Sequence, residues 1–217
     1  MSVNTKNFEI AQISHELANP ITLIYSSLQR LEKEHPELIT YSHWDGIMDE
    51  IRHMQQLLGD IRFMQTSNTL HRTPFSYFDF TQEVSHSFHS FLQEKNQTLL
   101  LQCPSKLPSL NADRAKLRQV VENLIKNASE ASPVNTMIAW RIHQDNSSLV
   151  NEIIDSGSGL ASGYETTLFE PFITSKKNGT GLGLTICKQI IESHAGTIGY
   201  EKNPSGGMTF TFCLPIP

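Results

Sequence analysis

Residues 113–131, DRAKLRQVVENLIKNASEA, decide the fold of the larger part of this 217-residue chain. One side of the stretch is apolar at helical spacing, which predicts a single strong helix. The residues on that side are Leu117, Val120, Val121, Leu124, Ile125 and Ala128. Asn123 and Asn127 lie four positions apart, so their side chains share a face, although asparagine is a weak helix former. Because an amide oxygen is a hard ligand suited to Mg²⁺, this pair indicates a candidate binding face.

Strands and two more helices are predicted around this central helix. The strands fall at 98–102, 137–143, 149–154, 197–200 and 208–214, with a polar turn at 145–148. The other helices fall at 80–92 and 184–194, and a Gly-rich stretch runs from 156 to 183. This mixture predicts an α+β fold in which the second part of the chain is a two-layer α/β sandwich.

The first part of the chain predicts an antiparallel helical hairpin. One helix covers residues 8–33 and ends at His35-Pro36, because the residue before a proline disfavours helical backbone. A second helix begins at Ser42, a candidate N-cap, and stops around Gln65. The apolar seams are Ile10, Ile13, Leu17, Ile24 and Leu31, widened by Ile21 and Leu28, and Ile47, Ile51, Met54, Leu58 and Ile61. A single hairpin cannot cover both sides of such seams, so we expect a homodimeric four-helix bundle; packing on the chain's own second domain is the alternative.

Composition narrows the class of protein. The formal net charge is −5, from 17 Lys+Arg and 22 Asp+Glu, which argues against a general nucleic-acid surface. No apolar run approaches the roughly 18 residues of a spanning helix, so no membrane segment is expected in this chain. The three cysteines, Cys103, Cys187 and Cys213, form no CxxC pair and predict reduced thiols in a cytoplasmic protein.

The segment SHELANPI, residues 14–21, offers a nucleophile. His15 points away from the apolar seam, and Asn19 lies one turn further along the same face. A neutral imidazole is a good nucleophile, and Glu16 beside it can hold one ring N–H. Pro20 removes the backbone bond to the carbonyl of Glu16, which allows a kink at this point. For an isolated histidine, an ordinary solvated surface position is the better interpretation.

Two glycine-containing segments follow the central helix. Asp155 begins DSGSG directly after a predicted strand, where its carboxylate can accept from an exocyclic amine such as that of adenine. Gly157 and Gly159 let the backbone pass close to a ligand. Residues 179–184, GTGLGL, open a helix, and backbone N–H groups there can cradle phosphate. Neither a Walker pattern nor a complete GxGxxG occurs.

Each segment is weak alone, but their order and spacing are specific. The chain resembles the catalytic core of two-component sensor histidine kinases from about residue 8 to residue 214. The similar segments are the H box SHELANPI, the N box NLIKNASEA, the G1 box DSGSG, the F box LFEPFITSK (168–176) and the G2 box GTGLGL. The resemblance implies a dimerisation and histidine phosphotransfer domain at 1–68. It implies a catalytic ATP-binding domain at 69–217, of the Bergerat type shared with gyrase, Hsp90 and MutL.

The resemblance also implies a role for each matching residue. His15 would be the phosphoacceptor, Glu16 its polarising partner, and Asn19 would position a water for dephosphorylation of the partner. Asn127 would ligate Mg²⁺ with Asn123 beside it, and Asp155 would bind the adenine amino group. The remaining nucleotide-site residues would be Gly157, Gly159, Phe169, Lys176, Gly179, Thr180, Gly181, Leu182 and Gly183. Residues from about 160 to 180 would form a lid, with Phe169 and Phe172 packing it.

The function implied is an ATP-dependent autokinase that passes its phosphoryl group to an Asp of a response-regulator receiver domain. Two other classes remain open: a phosphotransfer adaptor dimer with a degenerate ATP domain, and an ATPase without phosphohistidine. The first is disfavoured because the N, G1 and G2 boxes are intact. The second is disfavoured because Asn123 stands where such ATPases carry a catalytic glutamate, and Glu122 is about 100° away around the helix. Glu130 departs from the basic or aromatic residue that many members carry, which leaves Lys126 or Lys176 as a phosphate contact.

Two further expectations concern the partners. Exposed positions of the first helix after the histidine, such as Thr22, Ser26 and Gln29, would select the receiver. No sensor segment precedes residue 8, so we expect either a sensor in another chain or a longer protein of which this is a part.

Overall fold

The computed structural model describes residues 3–66, 69–160, 163, 166–176, 179–204 and 206–216, and the backbone alone for 3–13, 15, 65 and 66. The chain forms two compact units. The first joins Met1–Thr66 with Glu170–Gly183, and the second joins Ser67–Phe169 with Leu184–Pro217. Residues 67 and 68, beside the predicted domain boundary, and parts of the predicted lid (161, 162, 164, 165, 177, 178) lie outside the described residues.

The helical hairpin of the first unit is confirmed. It consists of α1 (Val3–Glu34), a short 3₁₀ helix (Pro36–Thr40) and α2 (Trp44–Thr66). As expected, α1 stops before Pro36, and it continues through Pro20, where the expected kink produces no break in the helix. The predicted N-cap is wrong: α2 begins two residues after Ser42, and the His43 carbonyl accepts the first helical bond, 3.0 Å from Ile47 N.

The apolar seams of the hairpin divide into an inner and an outer stripe. On α2 the inner stripe is buried at Trp44, Met48, Ile51 and Leu58, and Trp44 Nε1 donates to Glu32 Oε2 of α1 at 3.3 Å. The outer stripe consists of Leu17, Ile24 and Leu31 on α1, each seven residues apart, and Ile47 and Met54 on α2. These five side chains are between 39% and 51% exposed. The chain alone therefore leaves one side of its heptad pattern uncovered.

The second unit is a two-layer α/β structure, as expected. Its strands are β1 (Thr73–Ser76), β2 (Thr98–Gln102), β3 (Ser109–Ala112), β4 (Met137–Asp145), β5 (Ser148–Ile154), β6 (Thr197–Lys202) and β7 (Met208–Pro215). Its helices are α3 (Tyr77–Ser87), α4 (His89–Gln93) and α5 (Arg114–Ala131), together with α6 (Gly183–Ser193), which straddles the boundary between the units. A five-stranded sheet has the order β2-β4-β5-β7-β6, and only the β2–β4 pair is parallel.

Alternation along the strands shows which face of the sheet carries the helices. On β4, Ile138, Trp140 and Ile142 are buried, whereas Met137 and Arg141, at alternate positions, are exposed. Helix α5 packs against β4 and β5 and buries the whole apolar face predicted from the sequence. Buried and half-buried residues alternate along β5, which ends at Ile154, so the next residue, Asp155, lies on the buried face of the sheet.

A separate antiparallel pair, β1 with β3, was not predicted from the sequence. The chain leading into this pair is held by the start of α5. Lys116 Nζ donates to the Thr69 carbonyl, and His71 N donates to Asp113 Oδ2 at 2.9 Å.

His194 is a buried histidine that directly follows α6 and contacts the start of α5. Asp113 N donates to its Nε2 at 3.0 Å, and His194 Nδ1 donates to Ile190 O at 2.8 Å. Both ring nitrogens are therefore hydrogen-bonded with the ring in its neutral form, and burial lowers the pKa of His194.

Candidate active site

Asp155 is the best-defined candidate side chain of the second unit. It is 4% exposed, and its Oδ1 accepts two backbone N–H groups, from Gly157 at 2.8 Å and Met208 at 3.1 Å. Within the described part of the chain Oδ2 accepts no hydrogen bond. Burial raises the pKa of Asp155, while the two backbone donors oppose that rise. A fixed carboxylate with one open oxygen suits a ligand that donates an N–H in a fixed direction.

Glycines bring three backbone segments to this carboxylate. A Cβ on Gly157 would lie 2.7 Å from the Ala131 carbonyl at the end of α5, and Gly159 has φ +81. Gly207 has φ +83, and its Cβ would lie 2.2 Å from the Asp155 carbonyl oxygen. The roles predicted for Gly157 and Gly159 at a ligand stay predictions. Gly207 was missed, although the glycine pair at 206–207 just before a strand was a visible signal of close backbone approach.

The two asparagines lie where the sequence predicted, on α5. Asn123 and Asn127 are both half-buried in the middle of the helix, and Lys126 is exposed. The Asn123 side chain hydrogen-bonds to the buried thiol of Cys187 on α6, whose pKa burial raises to about 12. Cys187 also donates to the Val120 carbonyl, with 3.8 Å between Sγ and O. The N-box helix and α6 are therefore joined by polar contacts as well as by packing.

Phe169 belongs to the second unit and packs on β6. Its ring centroid lies 6.0 Å from that of Tyr200, and Lys188 Nζ lies 6.0 Å above the ring. The Phe169 carbonyl accepts from Thr185 Oγ1 of α6 at 3.0 Å. Phe172 differs: it has φ +65 and is 62% exposed, contrary to the expectation that it packs with the lid.

The rest of the F box and the G2 box belong to the first unit and contact each other. Phe172 N donates to the Gly181 carbonyl at 3.0 Å, and a Cβ on Gly181 would lie 2.5 Å from the Phe172 carbonyl carbon. A Cβ on Gly179 would lie 2.5 Å from Thr174 Oγ1. Lys176 is exposed, whereas Thr180 and Leu182 are buried, and Gly183 begins α6. The G2 glycines therefore make room for the F box, besides any role at phosphate.

The H box lies on α1. Glu16 and Asn19 are exposed on this helix, and Ser14 is buried. The side chain of His15 lies outside the described residues, so its predicted orientation stays a prediction. The residues predicted to select a receiver, Thr22, Ser26 and Gln29, are exposed.

Two family models match the chain. The His Kinase A (phospho-acceptor) domain matches residues 5–69. The histidine kinase-, DNA gyrase B-, and HSP90-like ATPase matches residues 112–217. The first covers α1 and α2, and the second covers the N, G1, F and G2 boxes. The fold and the family matches therefore define a class of protein in which an ATPase domain is joined to a histidine phosphoacceptor hairpin.

Individual relatives agree with this class. The adaptive-response sensory kinase SasA of Synechocystis is 28% identical over 99% of this chain, which spans 60% of that relative's length. The catalytic domain of histidine kinase ThkA is 30% identical, with a TM-score of 0.62 over 67% of this chain and 95% of that domain. ThkA in complex with response regulator protein TrrA is 27% identical, with a TM-score of 0.70 over 95% of this chain and 60% of that one. The chain belongs to the two-component sensor histidine kinase family. None of the helices that the structure describes has the length and hydrophobicity that crossing a membrane needs.

Proposed function

We propose that this chain is an ATP-dependent autokinase that phosphorylates His15. The observation that carries this proposal is Asp155, a buried carboxylate at the strand end. Its Oδ1 is fixed by two N–H groups, and its Oδ2 accepts no hydrogen bond from the residues that the structure describes. Such an oxygen accepts the exocyclic amine of adenine and orients the nucleotide. We place the boundary between the phosphotransfer hairpin and the ATP-binding domain at residues 68 and 69.

Magnesium fits the donor set of α5. Asn127 and Asn123 present half-buried amides on one helix face, and amide oxygens suit a hard cation that keeps several waters. Asn127 would hold the ion, which when bound neutralises charge on the ATP phosphates. The hydrogen bond from Asn123 to Cys187 restrains the Asn123 amide, which lies one helical turn before Asn127.

The chemistry required of the chain is small. A ring nitrogen of His15 attacks the γ-phosphorus, an N–P bond forms, the bond to the bridging oxygen breaks, and ADP leaves. Glu16 is exposed beside His15, where it can accept the other ring N–H and hold the imidazole in the attacking tautomer. Catalysis then depends on positioning and charge neutralisation, which the described residues of the nucleotide site provide.

Labelling with γ-³²P ATP and Mg²⁺ tests the autokinase. We expect a protein label that is stable in alkali and labile in acid, and that is absent from the His15→Gln variant. His35→Gln is the matched control, because His35 is also in the hairpin, where it pairs with Glu37 at 3.0 Å. Label retained in His15→Gln would contradict the proposal.

The second step we propose is transfer to an aspartate of a response-regulator receiver. The support is the family, the ThkA relative seen with a response regulator, and the exposure of Thr22, Ser26 and Gln29 on α1. Exchanging these three residues should change the preferred receiver in a transfer panel without changing autophosphorylation. Asn19→Ala should slow dephosphorylation of the phosphorylated receiver; an unchanged rate would exclude that role for Asn19.

We also propose that the chain works as a homodimer. The outer stripe defined above, which includes Leu17, Ile24 and Leu31, repeats every seven residues and is exposed in the single chain. A second copy placing the same stripe against it completes a four-helix bundle.

A further inference from the structure

Thr180, in the middle of the G2 box, is engaged with a residue of the helical hairpin. Thr180 Oγ1 donates to Asp60 Oδ2 of α2 at 2.6 Å, and the same Oγ1 accepts from Leu182 N at 3.3 Å. Both partners belong to the first compact unit, and Thr180 is only 9% exposed. A hydroxyl carries a single proton, so Thr180 cannot donate to a second acceptor while this bond exists.

These two hydrogen bonds occupy two donors of the G2 segment. The Thr180 hydroxyl points at a carboxylate, and the Leu182 N–H points back at Thr180 instead of at a ligand. Hydrogen bonds to an ionised acceptor are stronger than neutral ones, so the Asp60 bond is the hardest of these to replace. A carboxylate is also chemically the nearest side-chain substitute for a phosphate oxygen, since both are anionic acceptors.

The F box holds the G2 backbone from another side. Phe172 N bonds the Gly181 carbonyl at 3.0 Å, and Gly179 N donates to the Lys176 carbonyl at 3.3 Å. These backbone bonds do not involve Asp60. A phosphate could therefore exchange with the Asp60 carboxylate at the Thr180 hydroxyl while the loop backbone keeps its shape.

We propose that Asp60 is an internal competitor of the ATP phosphates, and that its bond to Thr180 must break before the G2 segment binds nucleotide. This inference rests on the proposed function of residues 179–183 as a phosphate-binding loop. Because Asp60 lies on α2, a movement of α2 that lengthens the bond raises the affinity for ATP. The contact thereby couples the conformation of the hairpin to nucleotide binding, with Asp60 acting through Thr180 and never touching substrate.

Titration calorimetry of the full chain with the non-hydrolysable ATP analogue AMP-PNP and Mg²⁺ tests the competitor. Asp60→Asn keeps the shape but removes the charge, and we expect the Kd to fall about fivefold, the usual difference between charged and neutral acceptors. Asp49→Asn is the matched control: it lies on the same helix and pairs with Arg52 at 2.5 Å. We expect it to leave Kd unchanged. In kinetic assays KM for ATP should fall in Asp60→Asn while kcat stays the same.

The same substitution in a Thr180→Val variant distinguishes competition between Asp60 and the ATP phosphates from a general effect on folding. In Thr180→Val the hydroxyl is absent, so adding Asp60→Asn should produce no further change in Kd. If Asp60→Asn leaves the Kd unchanged or raises it, or tightens binding equally in the Thr180→Val background, the inference is wrong. A wild-type chain that bound no nucleotide would instead overturn the proposed function, and this inference with it.

Discussion

Gly207 makes the sharpest steric prediction about the end of the site that we propose for adenine. Its φ is +83, and a Cβ there would lie 2.2 Å from the Asp155 carbonyl oxygen and 2.9 Å from Oδ1. The neighbouring Gly206 has φ +93, but its Cβ would meet nothing nearer than the Gly157 carbonyl at 3.8 Å. The two glycines thus share a left-handed backbone and differ in their distance from Asp155.

Because only Gly207 lies close to Asp155, the two substitutions separate the cost of left-handed backbone from the cost of a steric clash. Alanine in left-handed backbone costs about 1–2 kcal/mol, and both substitutions carry this term. Only Gly207→Ala also forces a shift of Asp155, and a clash of this kind in a packed region costs about 1–3 kcal/mol more. We therefore expect the free energy of unfolding to fall by about 1–2 kcal/mol in Gly206→Ala and by about 2–5 kcal/mol in Gly207→Ala.

Urea unfolding and nucleotide titration of both variants provide the assay. Gly207→Ala should lose most of its affinity for ATP at a temperature where it is still folded, because its Cβ displaces Asp155, the carboxylate that we propose binds adenine. Gly206→Ala should bind ATP nearly as the wild type does. Equal stability loss and equal ATP affinity in the two variants would refute the reasoning.

Three further predictions concern the rest of the chain. Because burial lowers the folded-state pKa of His194 below its unfolded value of about 6.5, its contribution to stability is complete above that pH. That stability is lost as the pH falls toward the folded-state pKa. In His194→Gln the glutamine can still accept from Asp113 N, but it does not titrate, so the Tm should fall less between pH 7.5 and 5.5 than it does in the wild type. An equal fall in Tm would mean that other groups cause the pH dependence. Ile24→Glu should convert a dimer to a monomer in sedimentation, and a variant that stays dimeric would exclude the outer stripe as the interface. Gly59→Ala should raise the free energy of unfolding by about 0.5–1 kcal/mol. Apart from the chain neighbours of Gly59 and its own helix backbone, the described residues have no atom within 4 Å of the added Cβ. A lower urea midpoint would contradict this.

Elements with strong local signals could be predicted from the sequence. Helix α5 was predicted to within one residue, since its apolar period is regular and Asp113 caps it by accepting from Lys116 N at 3.2 Å. Strand β2 was predicted with its observed bounds. The pair of β1 with β3 was missed because each strand has four residues, one contains Pro74, and the partners are distant in sequence.

In the hairpin, the heptad pattern predicted the helices but not which of their apolar residues are buried within the single chain. Steps of three and four residues place Ile47, Ile51, Met54 and Leu58 in one predicted seam. In the structure Ile51 and Leu58 are buried inside the chain, whereas Ile47 and Met54 are exposed. The period alone cannot tell contacts within a chain from contacts between chains, because both require apolar residues at the same spacing.

At the candidate site, too, residues close together in sequence could be predicted, whereas residues far apart in sequence could not. Asp155, Gly157 and Gly159 were recognisable because they form one short segment after a strand. Met208, whose N–H donates to the Asp155 carboxylate, and Gly207, which leaves room for Asp155, lie about fifty residues away. The β5–β7 pairing brings them next to it. The bond from Thr180 to Asp60 spans 120 positions, and no sequence pattern connects them.

Mapping the phosphorylated residue tests the central claim most directly. The chain is incubated with ATP and Mg²⁺, digested at alkaline pH and analysed by mass spectrometry. We predict one phosphorylated peptide containing residues 14–21, with the phosphoryl group on His15, and none when Asp155→Asn replaces the wild type. Phosphate on another residue, or ATP consumed with no phosphorylated peptide, would contradict the account.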